Sequence, residues 1–333
     1  MTEPTIKVNK LAYVRVEAPD LKAAEQFLQE FGLLEAERSN DAIYYRGTDA
    51  QAPCYVLTQG IGTVTAIAFE ADSEADLVAL SQIQGASAIE PLDEPGGGKV
   101  VRLTDPQNMT VEVVHGRTQF EALTAAPTHA FNTDGQQDRQ GSLPGTTFGP
   151  SHIRRLGHLV LESAHPADVF AWYNKHLGLT TSDAIHTPDG DTQMIFARLD
   201  RGAEYVDHHV VGFQFAMDEG ARVQHVAFEV ANVDDLMSGH DHLKNKKRKH
   251  IWGIGRHRLG GQIFDYWKSP MGVIHEHWTD TDLFNDQHTP EEHSIAKLRD
   301  YWGPEPGPSF VVSKWNLKTI RNIVRVLRAR QAA

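Results

Sequence analysis

Three residues in the second half of this 333-residue chain have the types and setting to hold a metal ion: His158 in RLGHLVL, His225 in VQHVAFEV and Glu276 in HEHW. They occupy corresponding places in a repeat whose first copy holds Tyr13, Ala66 and Glu112 instead. Only the second copy offers two imidazoles and a carboxylate. That set leaves positions open on the ion, which suits non-haem Fe(II) that must bind a substrate and oxygen together, and the same ligands accept Mn(II). His158 alone would pass for an ordinary strand histidine, whereas His225 lies in an apolar strand where a buried imidazole needs a partner. Glu276 is flanked by His275 and His277. Strand alternation places Ile274, Glu276 and Trp278 on one face and both histidines on the other, and the register from Glu112 also selects Glu276.

The elements that must position these residues form a doubled module. Lys10–Val16 and Arg155–Leu161 read as opening strands, followed by helical stretches over Leu21–Phe31 and Ala167–Leu177. Gly32 and Gly178 close the two helices with good C-cap chemistry. The second half of each copy begins with a strand, Val64–Glu70 or Val223–Glu229. Helix-compatible stretches follow over Ser73–Gln82 and Val233–Leu243, and turn signals at Asp105–Asn108 and Ser269–Gly272 lead into the strands carrying Glu112 and Glu276. Each copy reads as two βαβββ-like halves, so the fold class is α+β with antiparallel-rich sheets. The expected division is a structural unit without metal ligands over 1–117, a linker or wrapping loop over 118–151, a catalytic unit over 152–284 and a tail over 285–333. In the tail, Leu317, Ile320, Ile323, Val324 and Leu327 recur at helical spacing, predicting an amphipathic helix over Lys314–Arg330 with a basic outer face that packs on the body or on a subunit neighbour.

Composition bounds the function. With 32 Lys+Arg against 44 Asp+Glu the net charge is −12, which argues against a partner recognised through a basic surface, nucleic acid above all. No apolar run approaches the ~18 residues of a membrane span, and MTEPTIKVNK lacks a signal-peptide core. The lone Cys54 rules out an intrachain disulfide framework and a cysteine-cluster metal site. A soluble, cytoplasmic protein is expected, self-associating as a homo-oligomer through the tail helix, without nucleic-acid or membrane partners.

Over roughly residues 8–312 the chain resembles the two-domain type I extradiol ring-cleaving dioxygenases of the vicinal-oxygen-chelate superfamily. The resemblance rests on RLGHLVL, VDHHVVGF at 206–213, VQHVAFEV, GIGRHRLGGQIFDYWKSPMG at 253–272 and HEHWTDTDLF at 275–284, with ligand separations of 67 and 51 residues. It implies two tandem domains, each of two βαβββ modules forming a curved sheet around a cup, the first having lost its metal ligands. It also implies an acid–base histidine, matched by His208 with His209 as the alternative one residue on. A histidine and a tyrosine 19 and 10 residues before the ligand glutamate are implied as well, and match His257 and Tyr266. These two would hydrogen-bond substrate oxygens. The implied reaction takes a small aromatic diol and O2, cleaves the bond beside the diol and gives a 2-hydroxymuconic semialdehyde-type product. Val160, two residues beyond His158 on the same strand face, and His209 are expected in the substrate pocket. The basic run Lys244–His250 reads first as a solvated helix end and secondarily as a positive rim for a carboxylated catechol. Three alternatives remain: a 4-hydroxyphenylpyruvate dioxygenase-like enzyme sharing the metal set, a glyoxalase or isomerase using Zn or Ni, and a non-catalytic binder of aromatic compounds.

Overall fold

The computed structural model describes residues 3–124, 130–141, 143, 145 and 148–331; parts of the expected linker lie outside the described residues, as does the side chain of Arg330. The first unit runs β1 (Val8–Ala18), α1 (Leu21–Phe31), β2 (Leu34–Arg38), β3 (Ala42–Arg46) and β4 (Tyr55–Gln59). It continues with β5 (Val64–Ala71), α2 (Glu74–Ser81), β6 (Glu90–Pro91), β7 (Lys99–Thr104) and β8 (Thr110–His115). The second unit repeats the plan: β9 (Ile153–Ser163), α3 (Pro166–Leu177), β10 (Thr180–His186), β11 (Thr192–Arg198), a short β12 (Val206–Asp207) and β13 (Val211–Phe215). Its second module is β14 (Arg222–Val230), α4 (Val233–Asn245), β15 (Lys249–Arg256), β16 (Ile263–Lys268) and β17 (Ile274–Thr279). The tail adds β18 (Leu283–Phe284), β19 (Glu291–Ser294), α5 (Pro308–Val311) and α6 (Leu317–Gln331).

The two large sheets are wired alike. One has the order β2-β3-β4-β1-β5-β8-β7-β6, the other β15-β16-β17-β14-β9-β13-β11-β10-β19. Read from opposite ends, β4-β1-β5-β8-β7 corresponds to β13-β9-β14-β17-β16, with the same parallel and antiparallel pairings. The unit expected to end at 284 continues further, because β19 pairs with β10 and extends the second sheet to Ser294.

Helix limits follow local chemistry. The Asp20 carboxylate accepts the Ala23 N–H at 3.0 Å to start α1, and Ala24, Phe27, Leu28 and Phe31 bury one face at helical spacing. The helix stops at Gly32 in the left-handed region, φ +109°, where a β-carbon would also come within 2.1 Å of the Ser151 carbonyl oxygen. The close approach at Gly32 belongs to a contact that joins the units. Thr48 N–H donates to the Ile153 carbonyl at 2.9 Å and Thr5 N–H to that of Lys175 at 2.8 Å. His277 Nε2 donates to the Phe31 carbonyl at 2.7 Å, and His275 Nε2 lies 3.2 Å from the Tyr55 hydroxyl. The two histidines beside Glu276 therefore face the first unit, as alternation predicted, and fasten the halves over one hydrophobic core. Being buried, both are pushed down, His277 to about 4 and His275 to about 3, and remain neutral.

Candidate metal centre and active-site cavity

Three neighbouring strands bring the sequence-predicted ligands together. Ala227 on β14 faces both His158 on β9 and Glu276 on β17 in register, so its small side chain separates the two. His225 stands two residues back on the same face of β14. His158 Nε2 lies 3.1 Å and His225 Nε2 3.2 Å from Glu276 Oε2, and all three residues are buried. Gln224 contacts His225 Nδ1 through its side-chain oxygen, which accepts that N–H and leaves the Nε2 lone pair free. His225 Nε2 and Glu276 Oε1 are buried without a hydrogen-bond partner. Burial alone would raise the Glu276 carboxyl, yet the His158 and His225 imidazoles hold it well below the ordinary carboxylate range.

This donor set fits a divalent metal ion: two imidazoles and an ionised carboxylate point at one place, and buried polar atoms without partners are otherwise rare. Among the described residues two other histidine–carboxylate groups occur. In one, Asp265 already accepts from Trp267 at 2.6 Å and contacts His240 at 3.0 Å and His250 at 2.8 Å, so its hydrogen bonds account for it. The other includes Asp183, whose carboxylate lies 2.7 Å from His208 Nε2 and 3.4 Å from His293 Nε2. At the matching place in the first unit, Glu112 accepts from the Tyr13 hydroxyl at 2.7 Å, from Arg15 at 2.8 Å and from Arg102 at 3.0 Å. Two guanidiniums and a phenol occupy the position a cation would take.

A cavity of about 400 Å³ opens beside the centre. His158, His225, His209, His257, Tyr266 and Val160 all line it. His208 is absent from that lining and lies behind His209: their Nδ1 atoms are 3.0 Å apart, and His208 Nε2 is 2.7 Å from Asp183 Oδ2. His209, by contrast, packs its ring 4.2 Å from that of His158. Of the two histidines expected as acid–base candidates, only His209 lines the cavity. The reason is local: 208–210 join β12 to β13 outside either strand, and Asp183 draws His208 inward. Burial, followed by the neighbouring imidazoles, pushes His209 well below the ordinary range, while burial outweighs Asp183 in pushing His208 down. Both are neutral near pH 7. His257 Nε2 lies 3.1 Å from the Tyr266 hydroxyl and its Nδ1 3.1 Å from Asp300. Tyr266 stands directly opposite Glu276 in register, and burial followed by Glu276 raises its phenol far above the ordinary range.

The tail closes the outer side of the cavity through Phe310 and Val311 of α5 and Ile323, Val326 and Leu327 of α6. The amphipathic helix is present; of its apolar positions Ile323 and Leu327 line the cavity, while Leu317, Ile320 and Val324 are exposed. Buried Thr319 and Asn322 set the rotation, with Asn322 donating to the Met217 carbonyl at 3.0 Å and Lys318 and Arg321 paired to Glu219 at 2.7 and 2.6 Å. The basic run Lys244–His250 is absent from the cavity lining; it spans the α4 end and the start of β15, with Arg248 bonded to Glu30 at 2.5 Å, so the positive-rim reading fails. Asp183, Asp300 and the α6 residues were missed in the sequence. Only the helical spacing of α6 left a signal.

Residues 155–274 match the family model described as Glyoxalase/Bleomycin resistance protein/Dioxygenase superfamily. Metapyrocatechase 2 from Cupriavidus necator is 26% identical, covering 92% of this chain and 93% of its own length. An iron-dependent extradiol dioxygenase from Rhodococcus jostii (strain RHA1) is 24% identical over 80% of this chain and 87% of its own. Among solved structures, a Mn(II)-bound glyoxalase from Novosphingobium aromaticivorans superposes with a TM-score of 0.75 at 25% identity, covering 93% of this chain and 95% of that one.

Proposed function

We propose that this chain, which carries a domain of the glyoxalase/bleomycin resistance protein/dioxygenase superfamily, is a non-haem Fe(II) extradiol dioxygenase that opens a catechol ring beside its diol, adding both atoms of O2. The observation that carries the reading is the convergence of His158, His225 and Glu276 at the inner end of a cavity also lined by His209, His257 and Tyr266. The iron-dependent relative supports Fe(II); the same three atoms accept Mn(II). When bound, the metal supplies positive charge that favours an ionised diol and electrons that make O2 reactive towards it.

The chain's own residues handle protons and orientation. Asp183 is held below the ordinary carboxylate range, its burial outweighed by hydrogen bonds from His208 and His293, so as a carboxylate it can only accept. His208 then carries its proton on Nε2 and presents a bare Nδ1. His209 must donate from Nδ1 to fill it, and its Nε2 is left with a lone pair. A base so oriented takes a diol proton and returns it as the ring opens. His257, oriented by Asp300, and Tyr266 hydrogen-bond the diol and product oxygens. The hydroxyphenylpyruvate and glyoxalase readings give this trio no comparable work.

Among the described residues no helix is long and apolar enough to cross a membrane. A cytoplasmic homo-oligomer, associating through the exposed Leu317–Ile320–Val324 stripe, completes the proposal, with light scattering as its check. The function is tested by oxygen uptake of anaerobically Fe(II)-loaded protein offered a range of catechols. Uptake matching catechol loss, with a yellow product, is expected. Tight metal binding without uptake for any diol overturns the proposal and leads to the keto-acid and isomerase readings.

A further inference from the structure

Away from its inner end the cavity is mostly apolar, although Gln193, Gln214, Gln262 and three charged side chains also line it. Beyond the five histidine and tyrosine side chains, its walls are built by residues such as Ile185, Met194, Phe215, Leu298, Phe310 and Val326. A cavity of about 150 Å³ holds one benzene ring, so 400 Å³ leaves room for a group at least as large as a second ring. Charge narrows the choice further. Among the described lining residues the one permanent cation is Arg258, which is exposed and packs over the Tyr301 ring at 5.7 Å, whereas Asp300 and Glu305 both contribute carboxylates. Among the described lining residues no buried cation could pair with a carboxylated substituent: Arg258 and Glu305 are both exposed and Asp300 is bonded to His257 at 3.1 Å, so such a substituent would give up its hydration without a dedicated partner.

Resting on the extradiol reading, we infer that the substrate is a catechol carrying a bulky, uncharged, apolar substituent, aryl or long alkyl, which lies against the sheet on one side and α5 and α6 on the other. The diol end meets the metal centre; the apolar end sets the preference.

Two measurements test this. With Fe(II)-loaded enzyme, kcat/KM for 2,3-dihydroxybiphenyl should exceed that for 3,4-dihydroxyphenylacetate by about 100-fold, the scale set by burying a second ring. With metal-free enzyme, 2-hydroxybiphenyl should quench the fluorescence of Trp252, a lining residue, while 4-hydroxyphenylacetate should not. Ile323→Lys, on the outer wall and away from the metal centre, should narrow the kcat/KM ratio at least tenfold without altering metal content. Preference for the carboxylated catechol, or no preference, overturns the inference while the extradiol reading survives. Selective quenching without turnover of any diol overturns the extradiol reading and leaves the apolar-ligand assignment standing. Neither quenching nor turnover overturns both.

Discussion

At the scale of single residues, the proposed site divides into groups that would hold the metal and groups that would manage protons. His225→Ala or Glu276→Ala should abolish metal retention, read by elemental analysis, while circular dichroism remains that of a folded protein. His209→Gln should keep its metal and lose ~10²–10⁴-fold in kcat, the span usual for acid–base groups. Asp183→Asn should cost about 10²-fold in kcat with KM and metal content unchanged, because an amide can turn its N–H towards His208 and reverse the tautomer chain. A larger loss at His208 than at His209 would refute this order. The cluster of His158, His225 and Glu276 was legible because two copies of one module could be compared: Tyr13 against His158 and Ala66 against His225 mark where the copies differ. The proton chain was not legible. Strand periodicity cannot choose between His208 and His209 in a connection outside the strands, and Asp183 is 25 residues from His208 along the chain.

At the scale of elements, β1, β5 and β8 repeat the frame of the metal centre with a different filling. The Glu112 carboxylate is held below the ordinary range, since Arg15, Tyr13 and Arg102 together outweigh its burial. A carboxylate whose folded pKa is depressed adds stability that is present above its unfolded value of ~4.3 and lost as pH falls through the folded one. Glu112→Gln should therefore destabilise by about 1–2 kcal/mol at pH 7, from the weakened hydrogen bonds of Tyr13, Arg15 and Arg102, since Arg15 keeps Glu94 and Arg102 keeps Glu90 as partners. The gap to the wild type should narrow below about pH 4, and chemical denaturation across that window measures it. Catalytic metal binding should be unaffected. Helix limits were readable from caps, Asp20 and Gly32 among them. The rotation of α6 was not, because buried Asn322, a polar residue on what reads as its weaker side, bonds to the body at Met217, and buried Thr319 beside it bonds back to Lys314 just before the helix.

At the scale of the whole molecule, the doubled architecture was visible in the sequence as matched strands and glycine-terminated helices, and the sheet orders bear it out. How the tail bears on the site was not visible, since it depends on surfaces distant in the chain. Truncation after Asn316 should raise KM for an apolar catechol about tenfold, from lost apolar contact, while metal content and kcat change little; steady-state kinetics and elemental analysis check both.

The carboxylates of Asp300 and Glu305 also give the cycle a direction. Ring opening turns a neutral diol carbon into a carboxylate, so the molecule that leaves carries a charge the one that entered lacked. Two anions in the lining then repel the product but not the reactant, and release gains a push that entry does not oppose. Product inhibition should accordingly be weak, and Glu305→Gln should lower the product inhibition constant several-fold while leaving KM for a neutral catechol in place, as progress curves run to completion would reveal.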